Sequence, residues 1–112
     1  MSVVEVCQLT EIDDYQARGF NVTLKGETVD VIVVRQGTNC LVYKNSCPHT
    51  GVNLEWQPDQ FLSDDGNYLQ CAMHGAMFQL EDGLCVVGPC VNERLKKFTA
   101  VVRDDRVFIE NS

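Results

Sequence analysis

Apolar residues recur along the chain with a period near two, in short runs punctuated by Gly, Asn and Asp. That alternation is the mark of half-buried strands, whose successive side chains point to opposite faces. It predicts strands over residues 3–7, 20–24, 29–35, 40–44, 68–71, 77–80, 98–103 and 106–110. Turns fall at Lys25-Gly26-Glu27, Gln36-Gly37-Thr38-Asn39, Asp65-Gly66-Asn67 and Glu81-Asp82-Gly83, where Gly or Asn tolerates positive φ, and Asp104-Asp105 turns the last hairpin. Helix is a minor component: one or two turns over residues 9–15, with Thr10 as cap, and over residues 91–95. The expected class is all-β, an antiparallel sandwich.

One stretch breaks the alternation. From Ser46 to Asp65 loop-forming residues dominate, beginning with Cys47-Pro48-His49-Thr50-Gly51 and including the single tryptophan, Trp56. A loop that long in a small domain usually binds something or is disordered. Its Val52, Leu54, Trp56, Phe61 and Leu62 argue against disorder.

The 112 residues, 45% hydrophobic and 22% charged, amount to one globular domain, 1–112, and leave no room for a second catalytic domain. A net charge of −7 excludes nucleic acid as the expected partner and favours a basic one. No apolar run approaches the roughly 20 residues needed to cross a bilayer, and Met1-Ser2-Val3-Val4-Glu5 lacks the features of a signal peptide. The expected location is the cytoplasm, with no membrane partner. In a reducing compartment the six cysteines read as thiols or metal ligands before disulfides.

The two histidines, His49 and His74, each sit beside a cysteine. Cys47-Pro48-His49 is followed, after 21 intervening residues, by Cys71-Ala72-Met73-His74, so two loops each offer one sulfur and one nitrogen donor. Two sulfurs and two nitrogens could close a tetrahedral zinc site, although zinc sites usually group like ligands on one turn. The mixed pairing also suits a [2Fe–2S] rhomb in which two cysteines hold one iron and two histidines the other. Gly51 and Gly75, just past the histidines, would then let backbone amides approach the sulfurs.

Cys47-Pro48-His49-Thr50-Gly51, then Cys71-Ala72-Met73-His74-Gly75-Ala76-Met77-Phe78, then Gly83 and Gly88-Pro89, resemble the Rieske ferredoxin family. The resemblance implies a sandwich-like base carrying a small cluster-binding subdomain over about residues 44–89. It implies one Rieske-type [2Fe–2S] cluster per chain, with metal ligands Cys47, His49, Cys71 and His74, and with Gly88-Pro89 as a third loop over the cluster. Cys47 and Cys71 would hold the iron that stays ferric. His49 and His74 would hold the reducible one, their outer ring edges facing solvent as the exit for the electron.

Such an oxidised cluster is formally neutral, because two ferric ions balance two sulfides and two thiolates. It therefore accepts an electron more readily than a four-thiolate cluster, with potentials of roughly −150 to +300 mV. High-potential relatives carry an extra disulfide and two hydroxyl donors, where this chain has Val52 and Met73, and Ala76 and Phe78. The lower part of the range is expected. No histidine remains for a mononuclear oxygen-activating iron, so the chain is read as a non-enzymatic electron-transfer component.

Among the other cysteines, Cys7 and Cys40 fall in strand patterns and read as small core residues, while Cys85 and Cys90 flank Gly88-Pro89 and could approach each other. Trp56, Phe61 and Phe78 read as packing that excludes water rather than as an electron path. Glu55, Asp59, Asp64, Asp65, Glu81 and Glu93 could form an acidic docking rim or a merely solvated surface.

The expected function is that of a soluble carrier taking single electrons from a flavin-dependent reductase and giving them to a terminal oxygenase or another redox enzyme. The alternatives are an accessory component like the small subunit of assimilatory nitrite reductase, or a zinc-stabilised interaction module.

Overall fold

The structure is a computed structural model, and it describes residues 3–46, 61–63, 66–71, 75–88 and 91–110. Ten strands among them build three antiparallel sheets. The first sheet joins β1 (Val3–Gln8), β10 (Arg106–Glu110) and β9 (Ala100–Arg103) in the order β1-β10-β9. The second runs β2 (Ala17–Leu24), β3 (Glu27–Gln36), β4 (Asn39–Lys44), β8 (Lys97–Phe98). The third is a small meander of β5 (Tyr68–Gln70), β6 (Met77–Gln79) and β7 (Cys85–Val87).

The second sheet is the middle layer. Val31 and Val33 of β3 and Val42 of β4 point into one core with Cys7, Val107 and Ile109 of the first sheet. Ile32 and Val34 of β3 and Tyr43 of β4 point into another core with Leu69, Cys71, Ala76, Phe78 and Cys85. The unbroken apolar run Val31-Ile32-Val33-Val34 is thereby explained: a strand covered on both faces has no polar side to alternate with.

The expected strands are present, with three corrections. The run 98–103 is not one strand. It breaks at Thr99, leaving β8 on the edge of the second sheet and β9 in the first, so the chain changes layer there. Strand β7, which alternation did not reveal, exists because Cys85–Val87 pairs with β6 across a bulge. Residues 91–95 form no helix: Asn92 takes a φ of 77°, Cys85 and Glu93 bond through their backbones, and Arg94 bridges Leu84.

At residues 9–15 a single 3-10 turn, Leu9–Glu11, is all that forms. Thr10 lies inside that turn rather than capping it, and the Gln8 N–H is instead met by the Glu11 carboxylate at 2.7 Å. The tight turns are as expected, with Lys25 and Gly26 at φ 51° and 82° and Asp104 and Asp105 at 51° and 61°. Positive φ at both central residues matches the right-handed twist of the flanking strands.

Candidate functional site

The third sheet presents the second of the two expected ligand loops. Cys71 follows β5 directly and is fully buried in the core between the second and third sheets. Its N–H donates to the Ala76 carbonyl at 2.8 Å, and its own carbonyl accepts from the Gly75 N–H at 2.9 Å. Gln70 pairs with Met77 immediately below, so the connection is a hairpin loop clamped at its base. Gly75 closes it with a φ of +67°, a region that costs an L-residue with a β-carbon about 1–2 kcal/mol. The Gly75 amide is committed to the Cys71 carbonyl, so its role is to close the turn rather than to bring its own N–H to a sulfur.

Gly88, directly after β7, lies against Ala76 at the base of this loop. Gly88 has a φ of +104° and packs so tightly that a β-carbon on it would stand 2.7 Å from the Ala76 α-carbon and 3.2 Å from the Ala76 nitrogen. Here close approach and backbone conformation both demand glycine. Val87 and Val91, on either side, are each about half exposed.

Ala76 and Phe78, at the positions where high-potential relatives carry hydroxyls, are both wholly buried. Phe61 and Phe78 belong to the same core as Cys71, which supports packing as their role. Leu62 extends the third sheet by bridging Leu69, while the Gln70 N–H donates to the Phe61 carbonyl at 2.7 Å.

Cys47, His49 and His74 lie outside the described residues, as do Gly51, Val52, Trp56, Met73, Pro89, Cys90 and the acidic Glu55, Asp59, Asp64 and Asp65. Of the expected acidic rim, Glu81 does not border the Cys71–Ala76 loop. It lies in the β6–β7 turn, at the other end of β6, and its carbonyl accepts from Lys97 Nζ at 3.1 Å. Glu93 is exposed beside β7.

The remaining described cysteines are free thiols. Cys85 is buried and donates from Sγ to the Val87 carbonyl at 3.2 Å. Burial pushes the Cys7 thiol up to about 12, reinforced by Glu11 and Cys40, and burial pushes Cys40 up to about 11 against the pull of Arg35. Cys7 is a core residue between the first and second sheets, as expected, whereas Cys40 is half-buried and packs against the edge of that core. Among the described residues no three His, Cys, Asp or Glu side chains gather to hold a metal ion.

A cofactor with thiolate coordination fits what surrounds Cys71. Its backbone is held from both sides, its side chain is excluded from water, and the Gly88–Ala76 contact closes the neighbouring surface with no side chain between. Sequence reasoning found this loop but not Tyr43, which joins the third sheet to the second. Its hydroxyl donates to the Leu80 carbonyl at 2.6 Å. A buried tyrosine in a strand pattern reads as ordinary core, and nothing in the sequence names its partner.

A family profile described as Rieske [2Fe-2S] domain matches residues 2–102. No curated protein sequence matches. Among solved structures, the chain is similar to the ferredoxin of carbazole 1,9a-dioxygenase from Nocardioides aromaticivorans IC177, at 20% identity and a TM-score of 0.77, over 100% of both chains. It is also similar to a chain in a complex of reduced oxygenase and oxidised ferredoxin in carbazole 1,9a-dioxygenase, at 22% identity and a TM-score of 0.75, covering 98% of this chain and 94% of that one. A third likeness, TM-score 0.78 at 20% identity, covers 97% of this chain but 28% of a longer chain in the reduced complex between oxygenase and ferredoxin of carbazole 1,9a-dioxygenase.

Proposed function

Because the chain belongs to the Rieske [2Fe–2S] domain family, we propose that it is a small electron carrier that receives single electrons from a reductase and delivers them to a terminal oxygenase. The observation that carries this reading is the hydrogen-bonded pairing of Cys71 with Ala76, against which Gly88 packs, and which places a buried cysteine at the base of a hairpin in a chain with two Cys/His motifs. In this reading Cys47 and Cys71 would hold one iron and His49 and His74 the other. When bound, the cluster supplies reversible one-electron chemistry.

The chain's own residues do the rest. The two backbone hydrogen bonds at Cys71 hold in place the residue that would supply one ligand. Phe61, Leu69 and Phe78 keep water from the sulfur side. Gly88 approaches Ala76 closely because position 88 has no side chain. The oxygenase as recipient is supported by the likeness to the carbazole dioxygenase ferredoxin along the whole chain. The donor is a flavin-dependent, NAD(P)H-oxidising reductase, because a two-electron donor needs a flavin to release electrons singly. A cytoplasmic location accords with the free thiols; among the described residues, no helix is long and apolar enough to cross a membrane.

Low-temperature EPR of the dithionite-reduced protein tests the reading, with iron and sulfide analysis of the same sample. Two irons and two sulfides per chain with the spectrum of mixed Cys/His ligation are expected, and His74→Cys changes that spectrum. Colourless protein holding zinc, or an all-cysteine spectrum, rejects it.

A further inference from the structure

Beside the apolar core shared by the second and third sheets, a set of polar and close contacts meets at the turn between β6 and β7. Tyr43, in β4, buries its ring there and donates its hydroxyl to the Leu80 carbonyl. The ring edge lies against Gly83, where a β-carbon would come within 2.9 Å of Tyr43 Cε1. Two bonds from the segment entering β8 brace the same turn, Leu95 N–H to the Gly83 carbonyl at 3.0 Å and Lys97 Nζ to the Glu81 carbonyl. The turn itself is stiff. The Gly83 N–H donates to the Gln79 carbonyl and the Leu84 N–H to Asp82 Oδ1, both at 2.9 Å.

Tyr43 therefore touches both routes to the expected ligands. Four residues after it along the chain stands Cys47, reached through Lys44, Asn45 and Ser46, whose own backbone is pinned by Lys44 N–H to the Lys96 carbonyl and Asn45 N–H to the Asp30 carbonyl. Across the hydrogen bond, Leu80 is joined by the short strand β6 to Ala76, and Ala76 is bonded to Cys71. A shift of Leu80 is transmitted along a paired strand to the loop bearing Cys71 and His74, because a strand bonded on both sides does not bend freely.

We propose that Tyr43 is a positioning residue that fixes the separation of the two ligand pairs, Cys47 with His49 and Cys71 with His74, by locking the β6–β7 turn onto β4. This inference rests on the ligand assignment given above. Gly83 is its counterpart, since a side chain there would push the ring off its seat. Burial, with Asp82 and Glu81 nearby, pushes the Tyr43 hydroxyl up to about 12, so it remains a donor wherever the protein is folded.

The test compares wild type, Tyr43→Phe and Ile109→Val, all as loaded proteins. Tyr43→Phe keeps the ring and removes the one donor; Ile109→Val loosens the other core, on the far side of the second sheet. Three readouts are taken: EPR g-values after reduction, the midpoint potential, and the rate of bleaching in excess chelator. For Tyr43→Phe we expect displaced or broadened g-values and bleaching about fivefold faster, the worth of one average hydrogen bond. Ile109→Val should lower the melting temperature without moving the g-values. Tyr43→Phe with wild-type g-values, potential and bleaching overturns the proposal, as does Ile109→Val reproducing its effects. Should Tyr43→Phe load too little iron to read, Gly83→Ala is measured in its place against the same standard. Failure of the ligand assignment is separable, because it shows in the wild-type spectrum alone.

Discussion

Arg35 Nη1 donates to the Ile12 carbonyl at 2.8 Å, joining the middle of the structure to the loop that leads into β2. Its Nε donates to the Gly37 carbonyl at 2.9 Å, and the Gly37 N–H in turn donates to Asp14 Oδ1 at 2.7 Å. One guanidinium thus holds a hairpin and a loop together, using a planar fork that a lysine lacks. Arg35→Lys is expected to lower stability by about 1.5–3 kcal/mol in urea unfolding. The EPR spectrum should not change, because this hairpin lies at the opposite end of β3 and β4 from Ser46 and the first motif. A changed spectrum with unchanged stability would contradict the assignment of Arg35 to the base of the fold.

Gly88→Ala combines strain at a φ of +104° with a backbone clash against Ala76. The expected loss is about 2–5 kcal/mol, with faster loss of iron to chelators. Gly37→Ala is the control: its φ is +64° but nothing lies within 4 Å of its β-carbon. It should cost about 1–2 kcal/mol from backbone strain alone and leave iron retention unchanged. Equal effects from the two substitutions would mean that the Gly88–Ala76 contact has no special part in covering the ligand loop.

Phe78→Tyr places a hydroxyl at a wholly buried position in the core that holds Cys71. A hydrogen bond to a charged group contributes about 1.5–3 kcal/mol, equivalent to about 60–130 mV for one electron. Protein-film voltammetry should therefore show the midpoint potential rising by that order from a wild-type value in the lower half of the Rieske range. A potential that falls or stays put would show that residue 78 does not face a cluster sulfur.

High pH should destabilise the fold through its buried acids. Cys7 rises from 9.0 to about 12, Cys40 from 9.0 to about 11 and Tyr43 from 10.0 to about 12. Above pH 9 the unfolded thiols ionise while the folded ones keep their protons, so the native state binds more protons and stability falls as pH rises. Below pH 9 these groups contribute no slope. Urea midpoints measured from pH 8 to 11 should decline from about pH 9, and Cys7→Ala should flatten that decline. A flat profile in the wild type would mean that Cys7 and Cys40 ionise as freely folded as unfolded.

The Glu5–Arg106 ion pair illustrates what residue type and spacing leave unspecified. The two lie 101 positions apart in the chain and meet at 3.0 Å on the surface. Neither residue type nor spacing hints at the pairing, which follows from β1 lying beside β10. The same holds for Tyr43 and Leu80, and for Gly88 and Ala76, whose contacts exist because the sheets stack.

What residue order alone determined was local. Alternation marked the strands, Gly and Asp pairs marked the hairpins, and two Cys/His motifs with glycines behind them marked the chemistry, because each depends on neighbours within a few residues. The Val31–Val34 strand was marked as half-buried, and only the stacking of sheets on both its faces explains why its apolar run is uninterrupted. Tertiary structure decided the layer change at Thr99, the existence of β7, the failure of residues 91–95 to coil and the seat of the third sheet on Tyr43. Each of these balances small local preferences against the burial of apolar surface between sheets, and burial is settled only when distant segments meet.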